Sequence, residues 1–381
     1  MPTTAGNTEN PSERPYAGMV PQRESDEHRA LLIHVWSQMA QQHWDQALQD
    51  LDRADRLGPA GQMAQRTAAN MRAFQQHHPA VYRQLFPLFP IDMNNRHYRP
   101  VRAKSGVLTI VVRTIEGDKL INPLDQPDAA AQRDVAKLKE PLKQDTPLLL
   151  CGISDGYFFE QLCKNPRAYD DHRRAATYLV EPEPDLLLAN LALHDFADKN
   201  GPIANPSIEW FVGTDWQDQF VAALQNQWML PVPMLVLGRK DLHEPIKQSL
   251  NLVKAFRKQS ASQQREQALQ HGVYTQREEL AKHLRAQGGR KPRALIIASR
   301  FGEEPPDAPA RAARALAALG WETATLTEQQ DHHRLTPLPV WNTLGSFKPD
   351  LVIALGHRWA NRRDVIDPRI PVARRPSDAP A

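Results

Sequence analysis

Between residues 26 and 86, apolar side chains recur every three or four positions. In "EHRALLIHVWSQMAQQHWDQALQDLDRADRL", Leu31, Val35, Met39, Trp44, Leu48 and Leu51 share roughly one face, as in an amphipathic helix. "AGQMAQRTAANMRAFQQHHPAVYRQLFPLF" continues in the same style, so two or three packed helices are expected. Neither unit has a second copy, which argues against a helical repeat. At "GVLTIVVRTIEGDKLI", residues 106–121, β-branched residues take over and "EGDK" supplies a turn, predicting a hairpin. A helical segment at about 127–140 follows.

From "TPLLLC" onward the pattern alternates. "ATYLVEP", "SIEWFVG" and "VPMLVLG" read as strands; "DLLLANLALHDFA", "DWQDQFVAALQNQ" and "DLHEPIKQSLNLVKAFRKQ" read as the helices between and after them. Strands alternating with helices predict parallel βαβ units and a doubly wound α/β sheet, Rossmann-like in class. The alternation restarts at "KPRALIIASR", passes through a helix ended by Gly320 and the strand "WETATLT", then a short helix, and closes on "PDLVIALG". That is a second, smaller α/β half-domain of about three strands, where a doubly wound domain usually has five or six. The expected organisation is a disordered lead-in (1–25), a helical region (26–100), the Rossmann-like domain (101–260), a helical linker (261–291), the small α/β unit (292–357) and a Pro/Arg-rich tail (358–381). The 32 prolines cluster at the N-terminus, near 292–310 and in that tail.

Composition narrows the function classes. A chain of 381 residues suits two domains, and 41% hydrophobic with 24% charged residues suits a core-bearing globular protein. A net charge of +3 gives no argument for nucleic acid or a membrane surface. Cys151 and Cys163 are too few for a disulfide framework and fit a reducing compartment. No apolar run approaches the roughly 18 residues of a membrane span, and no signal pattern opens the chain. The expected location is the cytoplasm.

The candidate chemistry centres on "LLLCGISDGYFFEQL", residues 148–162. Gly152 and Gly156 bracket Ile153, Ser154 and Asp155 between a strand and a helix. A hydrolase nucleophile elbow would place Ser154 there. It would need an acid and a base such as Asp215 with His243 or His271, and no Gly-rich oxyanion loop stands upstream. A nucleotide site fits more of the chain: the glycines would admit a ligand to the backbone and helix N-terminus, and the next strands end in acids. Glu181 would hold ribose hydroxyls, and Asp215 would sit near the base. The plain alternative is a tight turn needing Gly for its backbone angles, with acids capping helices.

The segments "LLLCGISDGYFFEQL", "YLVEPEPDLLLANL" and "IEWFVGTDWQDQF" resemble the Rossmann-like domain of bacterial motility accessory factors, the flagellin glycosyltransferase-like group. "RALIIASRF", "RALAALGWETATLTEQQDHHRLTPL" and "FKPDLVIALGH" resemble the first half of a CgeB-like GT-B glycosyltransferase. Together the resemblance spans roughly residues 70–357. It implies a nucleotide-containing small molecule as ligand, a nucleotide sugar or, on the alternative reading, S-adenosylmethionine. It also implies a role in glycan synthesis or protein glycosylation. The donor-binding half of a GT-B enzyme is not among these segments, so the resemblance also allows a truncated relative, half of a split enzyme, or a scaffold for a glycosyltransferase partner protein.

Other residues admit two readings. One of His332 and His333 could meet a sugar hydroxyl or act as a base. The plainer expectation is that Asp331 caps the next helix and both histidines are solvated. Being adjacent in sequence, they are poor co-ligands for one metal. Arg239 and Lys240 could meet a phosphate or simply form a charged turn. Trp44, Trp210 and Trp216 read as core or rim packing, although Trp216, beside Asp215, could also serve as a sugar platform. "HDFADKNG" and "RKQSASQQREQ" read as solvated faces.

Overall fold

The computed structural model describes residues 34–35, 37–38, 41, 43–53, 59–88, 97–102, 107–122, 126–138, 146–164, 174–270, 291–302, 304–355, 359, 362, 365–366 and 372–374. The expected lead-in (1–25) and the linker beyond residue 270 up to 290 lie outside these.

Helices α1 (Trp44–Arg53), α2 (Pro59–His77) and α3 (Pro79–Leu85) form the front block. Next comes an antiparallel sheet of β1 (Tyr98–Arg102), β2 (Leu108–Thr114) and β3 (Gly117–Leu120), in that order. The expected hairpin is β2–β3. The added strand β1, "YRPVR", has no alternating apolar pattern, and its proline sits on an edge strand, where a missing N–H is tolerated.

After α4 (Pro127–Lys137) the chain alternates: β4 (Leu148–Cys151), α5 (Tyr157–Lys164), β5 (Thr177–Glu181), α6 (Pro184–Leu193), β6 (Ile208–Val212), α7 (Trp216–Asn226), β7 (Leu235–Gly238) and α8 (His243–Gln270). The sheet order is β6-β5-β4-β7. Strands β4 and β7 pair in parallel. The amides of Leu148 and Gly152 donate to Ala176 and Val180, a constant offset that makes β4 and β5 parallel as well. Every residue of β4 and β5 is buried, which explains why they read as continuous apolar runs.

The third sheet holds β8 (Arg293–Ala298), β9 (Glu322–Leu326), β10 (Leu351–Leu355) and β11 (Val372–Arg374), with α9 (Ala308–Ala318) and α10 (Pro337–Phe347) between strands. Its order is β11-β10-β8-β9, parallel throughout. The sequence predicts three strands and a tail. The tail supplies the fourth, three residues long and too short to leave a periodic signal. The fold class is thus α/β, with helix-flanked parallel sheets.

The described residues fall into two compact units. One takes them from Met1–Leu142, Gly152–Pro166 and Leu179–Thr214, the other from Lys143–Cys151, Arg167–Tyr178 and Asp215–Ala381. In the first, α6 is buried along almost its whole length, as expected of a helix apolar on every side. Asn70 of α2 donates its side-chain amide to the carbonyls of Leu191 and His194, satisfying acceptors left open at the end of α6. Phe74, Phe159, Phe196 and Trp210 meet edge to face beside it. In the second unit, Leu295, Ile297, Val340, Leu344 and Val352 form a core with Trp359, Val365 and Ile366.

Candidate functional site

The turn after β4 passes through left-handed backbone three times, at Gly152 (φ 78°), Ser154 (φ 55°) and Gly156 (φ 79°). Glu181, fully buried at the end of β5, secures it. One carboxylate oxygen accepts the Ile153 amide at 2.8 Å, and the other accepts the Glu183 amide at 2.9 Å. The acid read as a ribose holder therefore ties two strand-end turns together. Gly152, Asp155, Gly156 and Glu181 are brought into one cluster, and at Gly156 their own unit comes close.

Asn190 and His194 of the α6 region make that approach. A Cβ on Gly156 would stand 2.5 Å from His194 Nε2 and overlap Asn190 Oδ1, so glycine here admits protein rather than ligand. Asn190 donates to the Ser154 carbonyl. His194, expected on a solvated face, is buried. Its Nε2 lies 2.7 Å from the Asp155 carbonyl and its Nδ1 lies 2.8 Å from Glu160 Oε2. Both ring nitrogens are thus engaged within the turn. The His194 hydrogen bond, with help from Lys164, holds the Glu160 carboxyl down at about 2. Asp155 is also buried, and desolvation raises its pKa. Tyr157 closes the turn from the hairpin side, its hydroxyl donating to the Leu108 carbonyl at 2.6 Å. Tyr98 donates to Glu183.

The left-handed Ser154 between strand and helix has the local shape of a nucleophile elbow. Its chemistry does not follow: both nitrogens of His194, the imidazole built into this turn, meet Glu160 and the Asp155 carbonyl rather than the Ser154 hydroxyl. Asp215 is exposed before α7 and accepts a 2.7 Å hydrogen bond from Gln219 one turn on. Trp210 and Trp216 are buried. Arg239 pairs with Asp241 two residues on at 2.8 Å, the charged-turn arrangement.

Among the described residues, an open concavity lies in the second unit. Strand β9 lies on one side of β8 and β10 on the other, so the chain reverses its winding there. Open α/β sheets bind ligands in the crevice outside the strand carboxyl ends at such a point. A cavity of about 260 Å³ occupies it. Ser299 and Phe301 come from the turn after β8, Glu328 and His333 to Pro337 from the segment after β9, and Trp359 and Arg362 from beyond β10. Glu328 repeats the role of Glu181. Its oxygens accept the Ser299 hydroxyl at 3.2 Å and the Arg300 amide at 3.0 Å.

His332 and His333 are buried, not solvated. Their rings meet edge to face, 4.8 Å apart. Asp331 does not cap the next helix. Thr336 stands at the N-cap of α10, and Asp331 pairs with Arg300 at 3.1 Å while its carbonyl accepts the Arg174 amide. The strand-end rule that marks Glu181 and Asp215 would also have marked Ser299 and Glu328. Arg334 and Arg362 carry no comparable signal, because segments outside the strands deliver them.

No protein-family model, curated protein or solved structure matches the chain. Among the described residues no group of three or more His, Cys, Asp or Glu side chains could hold a metal ion. No described helix is long and apolar enough to cross a membrane.

Proposed function

We propose that this chain is a glycosyltransferase-like protein of glycan synthesis or modification, and that its sugar- or nucleotide-bearing ligand binds in the crevice of the third sheet. The observation that carries the reading is the cavity at the carboxyl ends of β8, β9 and β10, lined by Ser299, Glu328, His333, Arg334 and Arg362. Hydroxyl, carboxylate and imidazole groups suit sugar hydroxyls, guanidinium groups suit phosphates, and Phe301 and Leu335 give the ligand an apolar wall. Methyl transfer, the alternative reading, draws on the turn at 152–156, where Asn190 and His194 crowd Gly156.

A thermal-shift panel of nucleotide sugars, S-adenosylmethionine and S-adenosylhomocysteine tests this. Nucleotide sugars are expected to raise the melting temperature of the wild type and to lose that effect in Arg362→Gln. A shift from S-adenosylhomocysteine that Arg362→Gln leaves intact would assign the ligand to methyl transfer and away from this crevice. No shift with any compound would leave a non-catalytic partner of a glycosyltransferase as the better account.

A further inference from the structure

Helix α8 turns one long side to solvent. Its positions 247, 251, 254, 258, 261 and 265 follow one another at steps of four and three, the spacing that keeps side chains in a single line along a helix. They are Lys247, Asn251, Lys254, Lys258, Ala261 and Arg265, a seam about 27 Å long. All but Ala261 are exposed. Lys247 has a carboxylate at hand, Glu244 one turn back at 3.4 Å. The side chains of Lys254, Lys258 and Arg265 make no ion pair with any described residue.

From Pro245 to Arg265 the helix contains no Asp or Glu. Of the described helices packed against it, α10 has no charged residue and α7 has Asp218 alone, near the Gln217 side chain that donates to the Pro245 carbonyl. The fold holds α8 by its other side. Ile246, Leu250 and Val253 are buried there, and Arg257 donates to the Leu224 carbonyl at the end of α7. The seam cations add no packing, and Lys254 and Lys258, four residues apart, repel each other.

Charge and geometry narrow what the seam can meet. A second copy would bring the same cations to the same line. An anionic bilayer calls for apolar side chains at the contact, whereas the exposed Leu252 and Phe256 lie roughly 140–180° round the helix from the seam. A nucleic-acid strand calls for aromatic side chains among the cations, and the seam has none. A helix with carboxylates at the same spacing meets it along its whole length.

We infer that the α8 seam is a docking surface for an acidic helix of a partner protein, held by Lys254, Lys258 and Arg265. The inference is independent of the ligand crevice. Fluorescence anisotropy of the whole chain tests it with three labelled helical peptides of equal length. One carries Glu at the seam spacing, one carries Gln at those positions, and one has the same Glu content spread round the helix.

The first peptide is expected to bind about tenfold more tightly than either of the others, and more weakly as salt rises. The double variant Lys254→Gln/Lys258→Gln, altered only at exposed positions and checked for an unchanged melting temperature, is expected to bind it no better than the Gln peptide. Phosphatidylserine vesicles and an oligouridylate are expected to bind wild type and double variant alike. Equal binding of the in-line and spread peptides, or in-line binding that survives in the double variant, overturns the inference. Vesicle or oligouridylate binding that the double variant loses overturns it in favour of a membrane or RNA surface. No binding by any probe overturns it outright.

Discussion

A carbonyl and a carboxylate face the two ring nitrogens of His194, and the pairing with Glu160 ties stability to pH. The Glu160 carboxyl titrates near 4.5 when unperturbed and at about 2 in the fold. A depressed carboxylate pKa contributes in full above the unfolded value and loses its contribution as pH falls towards the folded one. Replacing Glu160 with Gln is therefore expected to cost up to about 3 kcal/mol near neutral pH, a difference that shrinks between about pH 4.5 and about pH 2. Urea unfolding across that range checks it. Asp155 works with the opposite sign, since burial raises it above 3.8, so its contribution is lost as pH rises. Subtracting the variant from the wild type isolates Glu160. Thiol chemistry offers an independent check on the same burial. Desolvation first, and the Asp241 charge second, push Cys151 to about 12, whereas Cys163 is only half-buried. One thiol is expected to react with a disulfide reagent near pH 8 in the native protein, and both in denaturant. At Gly156, alanine would combine a positive φ with overlap onto Asn190 and His194. A loss of about 1–3 kcal/mol is expected in the same unfolding assay.

Between elements, the two parallel sheets use one device. Glu181 accepts an amide from Ile153 and Glu328 accepts one from Arg300, each 28 residues upstream. Each glutamate ties the segment after a second strand to the turn after the first. A Gln at either position keeps one good acceptor and turns a donor towards an N–H group. Glu181→Gln is expected to cost about 1–3 kcal/mol, because nothing can replace the lost bond at a fully buried site. Glu328→Gln is expected to cost less, because its cavity admits water; a larger loss at Glu328 would mean that the cavity is dry. The strands and the strand-end acids were legible in the sequence, since apolar runs and turn residues are local signals. The crowding at Gly156 was not. His194 sits in "HDFADKNG", whose polar letters suggest solvent, and only the fold turns that side chain inward onto Asp155 and Glu160. The same holds at "DHHRLTP", where adjacent histidines look like surface residues and are buried.

For the whole molecule, the alternating pattern predicted the α/β class and both parallel sheets. It missed β1 and β11, strands of five and three residues without periodic apolar positions. It also treated residues 358–381 as a tail, although Trp359 and Arg362 complete the wall of the cavity. A phosphorylated ligand held at about 100 times its dissociation constant should add about 2.7 kcal/mol to folding stability. The resulting rise in melting temperature, absent for S-adenosylhomocysteine and lost in Arg362→Gln, would place the ligand in the second unit.

Pro337 and Pro339, which leave the start of α10 without two main-chain amides, carry a longer consequence. A binding loop built on main-chain amides has its selectivity fixed by its own path and can change ligand only by refolding. With those amides removed, selection at the ligand site proposed above would rest on a few exchangeable side chains on an unchanged frame. A handful of substitutions around positions 334 and 362 should then be enough to redirect it to a different small molecule.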